Sequence, residues 1–243
     1  MDILITGGTS GLGLAMARAL AQDDHRVVIT GRDADRAAEV AAGLPGDVRG
    51  IGMDVRDAAS VAAGRERVLE ELGGLELLVN NAGIGMRTVN PDFLSDPQPF
   101  WEVPEAGFRD VVDTNLTGYF LVASAFVPDL LAVPDGRIVT VSMNHATMNR
   151  AGFVPYGPSR AGAEALSRIM AADLAGTSVT VNLLLPGGAT ATGMIPDAVT
   201  DTSALLPADV MAAPVRWLCS PAAAGTHDER IVATEFDAWL AAR

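Results

Sequence analysis

The sequence contains no lysine. Its 17 basic residues are all arginine, they face 30 acidic residues, and the chain of 243 residues carries a formal net charge of −13. Such an acidic surface excludes nucleic acid and anionic membrane as partners of the molecule as a whole. Abundant Ala, Gly and Arg without Lys fits a GC-rich coding sequence, which alone accounts for any single arginine where lysine is usual. Cysteine is nearly absent. Cys219 has no partner for an internal disulfide, so a reducing, cytoplasmic setting is expected, and its context VRWLCS reads as an apolar helix face around a buried structural thiol. No apolar run approaches the ~18 residues of a membrane span. The opening MDILITGG lacks the charged lead, apolar stretch and cleavage site of a signal peptide. No metal site is expected.

What is present is apolar, 49 % of the chain, ample for one large core in a single domain over 1–243. Short apolar, β-branched runs alternate with Ala-rich segments of helical period. Strands are predicted at 2–6, 26–30, 48–53, 75–80, 136–142, 178–184 and near 231–233. Helices are predicted at 11–22, 33–43, 57–72, 105–132, 154–175 and 208–219, with a short one near 193–200. Strands that are apolar throughout are covered on both faces. The βαβα rhythm therefore specifies an α/β fold: one Rossmann-like, doubly wound parallel sheet of about seven strands with helices on both faces. Right-handed crossovers bring every strand C-terminus to one edge, where ligands bind. The Pro-rich stretch 91–104 reads as a surface loop.

The segment LITGGTSGLGLAMARAL runs strand, turn, helix, with Gly7, Gly11 and Gly13 at the turn. Glycine allows positive φ and close approach of a phosphate, and the helix start offers unpaired N–H groups and the positive end of its dipole to a pyrophosphate. At the end of the second strand stands Thr30-Gly31-Arg32, where a cofactor with free ribose hydroxyls meets Asp or Glu. Gly31 leaves room and the Arg32 guanidinium suits a 2′-phosphate, so NADP is the expected cofactor. Asp33, next along, keeps NAD as the alternative. Further on, VPYGPSR places Tyr156 and Arg160 one helical turn apart. Tyrosine has a pKa near ~10, and a nearby cation stabilises the phenolate and lowers it. The pair reads as a proton donor with a charge beside it.

These residues, together with further motifs in order along nearly the whole chain, resemble the short-chain dehydrogenases/reductases. TGGTSGLG at 6–13 is similar to that family's cofactor turn, which implies contacts from Gly7, Thr9, Ser10, Gly11, Leu12 and Gly13. Asp54-Val55 resembles its adenine contact. NNAG at 80–83 resembles its fourth-strand motif, with Asn81, Ala82 and Gly83 against the cofactor. Asn115 in DTNLTGYF and Tyr156 match its helix asparagine and catalytic tyrosine. PGG at 186–188 matches the turn beside the nicotinamide, implying Pro186 and Gly187 there and Thr190 or Thr192 at the carboxamide. The resemblance implies hydride transfer between the nicotinamide and a carbonyl or alcohol carbon. Tyrosine handles the proton, a serine hydrogen-bonds the same oxygen, a lysine binds the ribose and acidifies the tyrosine, and the asparagine holds a water in a proton relay.

Two positions depart from that pattern. Arg160 replaces the lysine. It keeps the charge but does not surrender a proton. The serine belongs thirteen residues before the tyrosine, where this chain has Met143. Ser142 precedes it, and on a strand a one-residue step points to the other face unless a bulge or strand end re-aims it. Ser142 is the expected site residue, Asn144 the substitute oxyanion donor, and His145 a solvated loop histidine. The leading reading is thus an NADP-dependent oxidoreductase with Tyr156, Arg160, Ser142 and Asn115 as its catalytic set. A non-redox or NADP-sensing protein is the alternative. Tyr-x-x-x-Arg also resembles the halohydrin dehalogenases, but those lose the dinucleotide glycines that this chain keeps. Loops 84–104 and 188–206, rich in Met, Phe and Leu, are expected to flank a largely apolar pocket for a medium-sized ketone or alcohol. Helices 105–132 and 154–175 expose small apolar residues, and the resemblance implies a homodimer or homotetramer.

Overall fold

Strands without polar alternation need cover on both faces, and the sequence supplies a helix after nearly every one. The computed structural model describes residues 1–243. Strand β1 (Asp2–Ile5) is followed by α1 (Gly11–Ala21), β2 (Arg26–Gly31), α2 (Ala34–Ala42), β3 (Asp47–Gly52), α3 (Ala58–Leu72) and β4 (Leu77–Asn80). After the long loop come α4 (Glu105–Val112), α5 (Gly118–Leu131), β5 (Gly136–Val141), the short α6 (His145–Met148), α7 (Tyr156–Asp173), β6 (Val179–Leu185), α8 (Ala212–Leu218), β7 (Arg230–Val232) and α9 (Phe236–Ala241). The seven strands are all parallel, in the order β3-β2-β1-β4-β5-β6-β7. The order reverses between β1 and β4, which opens a crevice at the strand C-termini.

Alternation along each strand divides the core in two. Ile3, Ile5, Leu77, Val79, Val139 and Val141 pack with Met16, Leu20, Val215 and Leu218 on the α1–α8 side. Leu4, Leu78 and Ile138 pack with Val68, Val122, Phe126 and Leu130 on the α3–α5–α7 side. Cys219 is buried in the first cluster, as its context predicts, and burial pushes its thiol up to about 12. A third, smaller cluster of Met86, Phe93, Met143, Met148 and Phe153 lies outside the sheet.

Two predicted helices differ. The segment 105–132 is interrupted by one π turn at Asp113–Thr117, which separates α4 from α5. The segment 193–200 forms turns instead of a helix: the Ile195 N–H closes on the Thr192 carbonyl and Val199 on Pro196. Pro196 removes one donor and disfavours helix at the residue before it. No helix is long and apolar enough to cross a membrane.

The α2–β3 contact leaves no room for a side chain at Gly50, where a Cβ would run into the Ala37 carbonyl. Gly50→Ala is expected to destabilise the chain by about 1–3 kcal/mol, read as a lower urea midpoint. An unchanged midpoint would show that α2 shifts freely.

Candidate active site

The crevice is a cleft of about 760 Å³ at the C-terminal edge of the sheet. It begins at the β1–α1 turn. Gly7 and Gly11 have φ of +64° and +54°, which residues with a Cβ rarely adopt. The Gly7 carbonyl accepts from Asn81 Nδ2 at 3.1 Å, so the NNAG segment braces the turn, and Thr6 Oγ1 accepts from the Asn81 and Ala82 N–H groups at 3.0 Å. Ser10 precedes α1 in extended conformation with no side-chain cap, leaving the first N–H groups of the helix free. Thr9, Ser10, Leu12, Gly31 and Arg32 line the same wall. These features fit a dinucleotide pyrophosphate.

Arg32 is exposed and has no carboxylate partner, whereas the Asp33 side chain caps α2 by accepting from the Arg36 N–H at 3.0 Å. The aspartate that kept NAD in view is therefore occupied locally. Asp54 is also engaged: both its oxygens accept from the Arg56 guanidinium, which holds its carboxyl below the ordinary value. Val55 lies under α5, against Gly118.

Tyr156 starts α7. Its hydroxyl donates weakly to the Met194 sulfur at 3.8 Å, and its remaining interaction is with the Arg160 guanidinium. One turn on, Arg160 is buried, and its guanidinium lies 5.3 Å from the Tyr156 ring centroid and 5.6 Å from that of Tyr119. Its Nη1 donates to Tyr119 Oη at 2.6 Å and to the Val141 carbonyl at 3.0 Å, while Nε is buried without a partner. Burial opposes the Arg160 charge, but the two tyrosines outweigh it and raise its pKa above the usual arginine value. Burial also pushes the Tyr119 phenol up, against the pull of Arg160. Tyr119 thus stays a neutral acceptor. A Cβ at Gly83 would collide with the Arg160 guanidinium and press on Asn115, which gives this glycine of NNAG a steric reason.

Asn115 sits in the π turn. Its amide accepts from the Ile84 N–H and donates to the Ile84 carbonyl, both at 2.9 Å, and its Nδ2 also reaches Ser159 Oγ at 3.1 Å. The extra residue of the turn aims this side chain sideways out of the helix, onto the loop after β4.

The expected second oxyanion donor is not in place. Ile138, Thr140 and Ser142 alternate towards α7, no bulge intervenes, and the Ser142 hydroxyl donates to Glu164. Ser142 thus lines the cleft, near the site as expected, but its hydroxyl is committed to Glu164 and not directed into the cleft. Asn144 is occupied too, its Nδ2 donating to the Gly187 carbonyl at 2.6 Å. Met143 faces the apolar cluster with Phe93 and Phe153. His145 is exposed, as expected, yet its Nε2 lies 3.0 Å from Glu164. Gly187 and Pro186 form the turn after β6. Thr190 is buried and paired to Leu206, and Thr192 lies against Gly11.

The spacings did not point to Tyr119, Glu164 or Arg230, whereas Met194 lies on the 188–206 loop expected to flank the pocket and does line it. Tyr119 could have been found four residues after Asn115. Glu164 falls on the Tyr156–Arg160 face two turns into α7, and Arg230, whose Nε approaches it at 3.2 Å, comes from a distant strand. Burial disfavours the Glu164 charge, but hydrogen bonds from Ser142 and His145 and the charge of Arg230 outweigh it and hold the carboxyl below its ordinary value.

A carboxyl depressed in the folded state stabilises above its unfolded pKa, and that stability is lost as pH falls through the folded value. Glu164→Gln is therefore expected to cost about 1–3 kcal/mol at neutral pH, with the gap to the parent closing as pH falls through the lowered carboxyl value. Thermal melts across pH would check this, and a gap that stays constant into acid would exclude the charge as its cause.

The short chain dehydrogenase family model matches residues 2–202. A probable NADP-dependent dehydrogenase of Haemophilus influenzae is 32 % identical over 76 % of this chain and 69 % of its own length. Among solved structures, a 3-ketoacyl-(acyl-carrier-protein) reductase from Brucella melitensis complexed with NADH superposes with a TM-score of 0.83 at 27 % identity, covering 95 % of both chains. A short chain dehydrogenase from Burkholderia cenocepacia in complex with NADP gives 0.81 at 29 % identity, again over 95 % of each.

Proposed function

The chain belongs to the short-chain dehydrogenase family and is an oxidoreductase, and from that premise we propose that it reduces a ketone, or oxidises the corresponding alcohol, with NADP(H). The observation that carries this reading is Tyr156: a phenol on the cleft wall with no strong partner besides the buried guanidinium that its ring lies over. Bound in the cleft, NADPH would supply the hydride. Gly7, Ser10, Gly11 and the start of α1 would hold its pyrophosphate, and Arg32 the 2′-phosphate. Tyr156 gives its proton to the substrate oxygen, and the permanent charge of Arg160 stabilises the phenolate left behind. Arg160 does not pass a proton on, so Tyr156 regains its own from water within the cleft.

With Ser142 bonded to Glu164 and Asn144 to Gly187, neither expected second donor is free, and Tyr156 is left to serve the substrate oxygen. Loss of one oxyanion donor costs about 10²–10³ in rate in other enzymes, so turnover is slow. The same two commitments support a second reading, an NADP-binding protein that performs no redox step. A dehalogenase is not supported, because the dinucleotide turn is intact. The substrate body is apolar: Met86, Phe93, Met143, Phe153 and Met194 line the inner cleft. Phe120 on α5 and Ile169 on α7 are exposed, a face suited to pairing two copies of the chain.

Tyr156→Phe is expected to abolish ketone-dependent NADPH oxidation with NADPH affinity nearly unchanged, followed by absorbance and by calorimetry. Turnover surviving in the variant would remove Tyr156 from the chemistry, and tight NADPH binding without turnover in the parent would favour the second reading. A hydrogen bond to a charged group contributes about 1.5–3 kcal/mol, so Arg32→Ala is expected to weaken NADPH binding tenfold or more and NADH binding far less. Equal losses would show that Arg32 meets no phosphate.

A further inference from the structure

In a chain of net charge −13, the cleft wall carries the opposite sign. Five arginines line it, Arg32, Arg56, Arg87, Arg150 and Arg160, and Asp54 is its one carboxylate. Two of the five are neutralised: Arg56 by Asp54, and Arg87 by Asp197 across the mouth. Arg160 is buried with its charge directed at two phenols. Arg32 follows β2, at the cofactor end. Arg150 remains, and neither the hydride chemistry nor the cofactor gives it a task.

Arg150 lies between α6 and α7, after β5. From β2 to β5 the sheet order runs over three strand spacings, roughly 14 Å, so Arg150 and Arg32 stand at opposite ends of the cleft. No carboxylate comes within 4 Å of Arg150, and its side chain donates no hydrogen bond to the protein, although twelve of the 17 arginines have an acidic partner. It is nevertheless placed. Its guanidinium carbon lies 5.3 Å from the Phe153 ring centroid, and Phe153 is itself buried edge-on against Phe93 at 5.6 Å. A guanidinium seated on a fixed ring keeps its outer N–H fork free for a planar or tetrahedral oxyanion.

We propose that the substrate is an amphiphile whose far end is an oxyanion, a carboxylate or a phosphate, received by Arg150 at the mouth while its apolar body passes Phe93 and Phe153 and its carbonyl meets Tyr156. This rests on the reductase reading and narrows it. With Arg32 given over to the cofactor phosphate, Arg150 is the unpaired cation left on the cleft wall of a protein of net negative charge, so it also selects the end by which the substrate enters.

The test compares levulinate and its longer keto-acid homologues with their uncharged methyl esters, and keto-alkyl phosphates of matched length with their uncharged dimethyl esters. In the parent protein with NADPH, at least one anion should exceed its ester about tenfold in kcat/KM, with most of the difference in KM, and Arg150→Ala should bring the ratio to about one. Which series shows the ratio decides between carboxylate and phosphate. Equal kcat/KM for anion and ester, or a ratio that survives Arg150→Ala, overturns the proposal. If no ketone is turned over, the reductase reading fails separately. Calorimetry of the same anions and esters on the NADP⁺-loaded protein then decides: anion binding lost in Arg150→Ala upholds the oxyanion site, and binding indifferent to charge or to the substitution overturns it.

Discussion

The guanidinium of Arg160 is the constraint around which the site is arranged. A buried ion costs several kcal/mol unless neighbouring groups replace its water. Here Tyr119 and the Val141 carbonyl accept its hydrogen bonds and two aromatic faces flank it. Each compensating group fixes another element. Tyr119 holds α5 against the end of β5, the Val141 carbonyl holds the strand itself, and the space for the guanidinium requires that residue 83 have no side chain. A lysine in this position would be a compact point charge without a flat surface to lie between two rings. The absence of lysine noted at the outset thus has a structural counterpart: wall residues that accommodate a planar cation.

The fold was legible because parallel strands covered on both faces leave an unmistakable trace, runs such as ILI at 3–5 and LLL at 183–185 that are apolar at every position. Strand bounds read from these runs fall within about two residues of those observed. Helix bounds were less secure where hydrogen-bond geometry departs from a simple period. The π turn at Asp113–Thr117 keeps residues helical while shifting the face, so a period count passes through it. The glycine turn, Tyr156 and Arg160, which share one cleft, were visible from local spacing. Glu164 and Arg230 were not, since their link to Ser142 depends on α7 and β7 lying over the end of β5, and no local pattern encodes that. Strand alternation did foretell that Ser142 would face away from Met143, and the structure adds that it is Glu164 that receives it.

Around the cleft the charges have a simple logic. The acidic residues tie down the arginines of the surface, often across distant segments, as Asp129 does for Arg65 on α3 and Asp228 for Arg168 on α7. Arg87 reaches further, joining the loop after β4 to the one after β6 through Gly193, Ile195 and Asp197. The two walls of the mouth are held together by a cation whose charge is cancelled, while Arg32 and Arg150, exposed on the cleft wall, keep theirs unpaired.

Cys219 carries a consequence of its own. Only the thiolate is nucleophilic, and burial both hides this sulfur and keeps it protonated with a pKa pushed up to about 12. In the folded chain it is chemically silent. Because it packs between the sheet and α1, α8 and α9, it becomes reactive when that layer parts. A single silent sulfur of this kind is an internal clock: its labelling by a thiol reagent counts the moments when the protein opens.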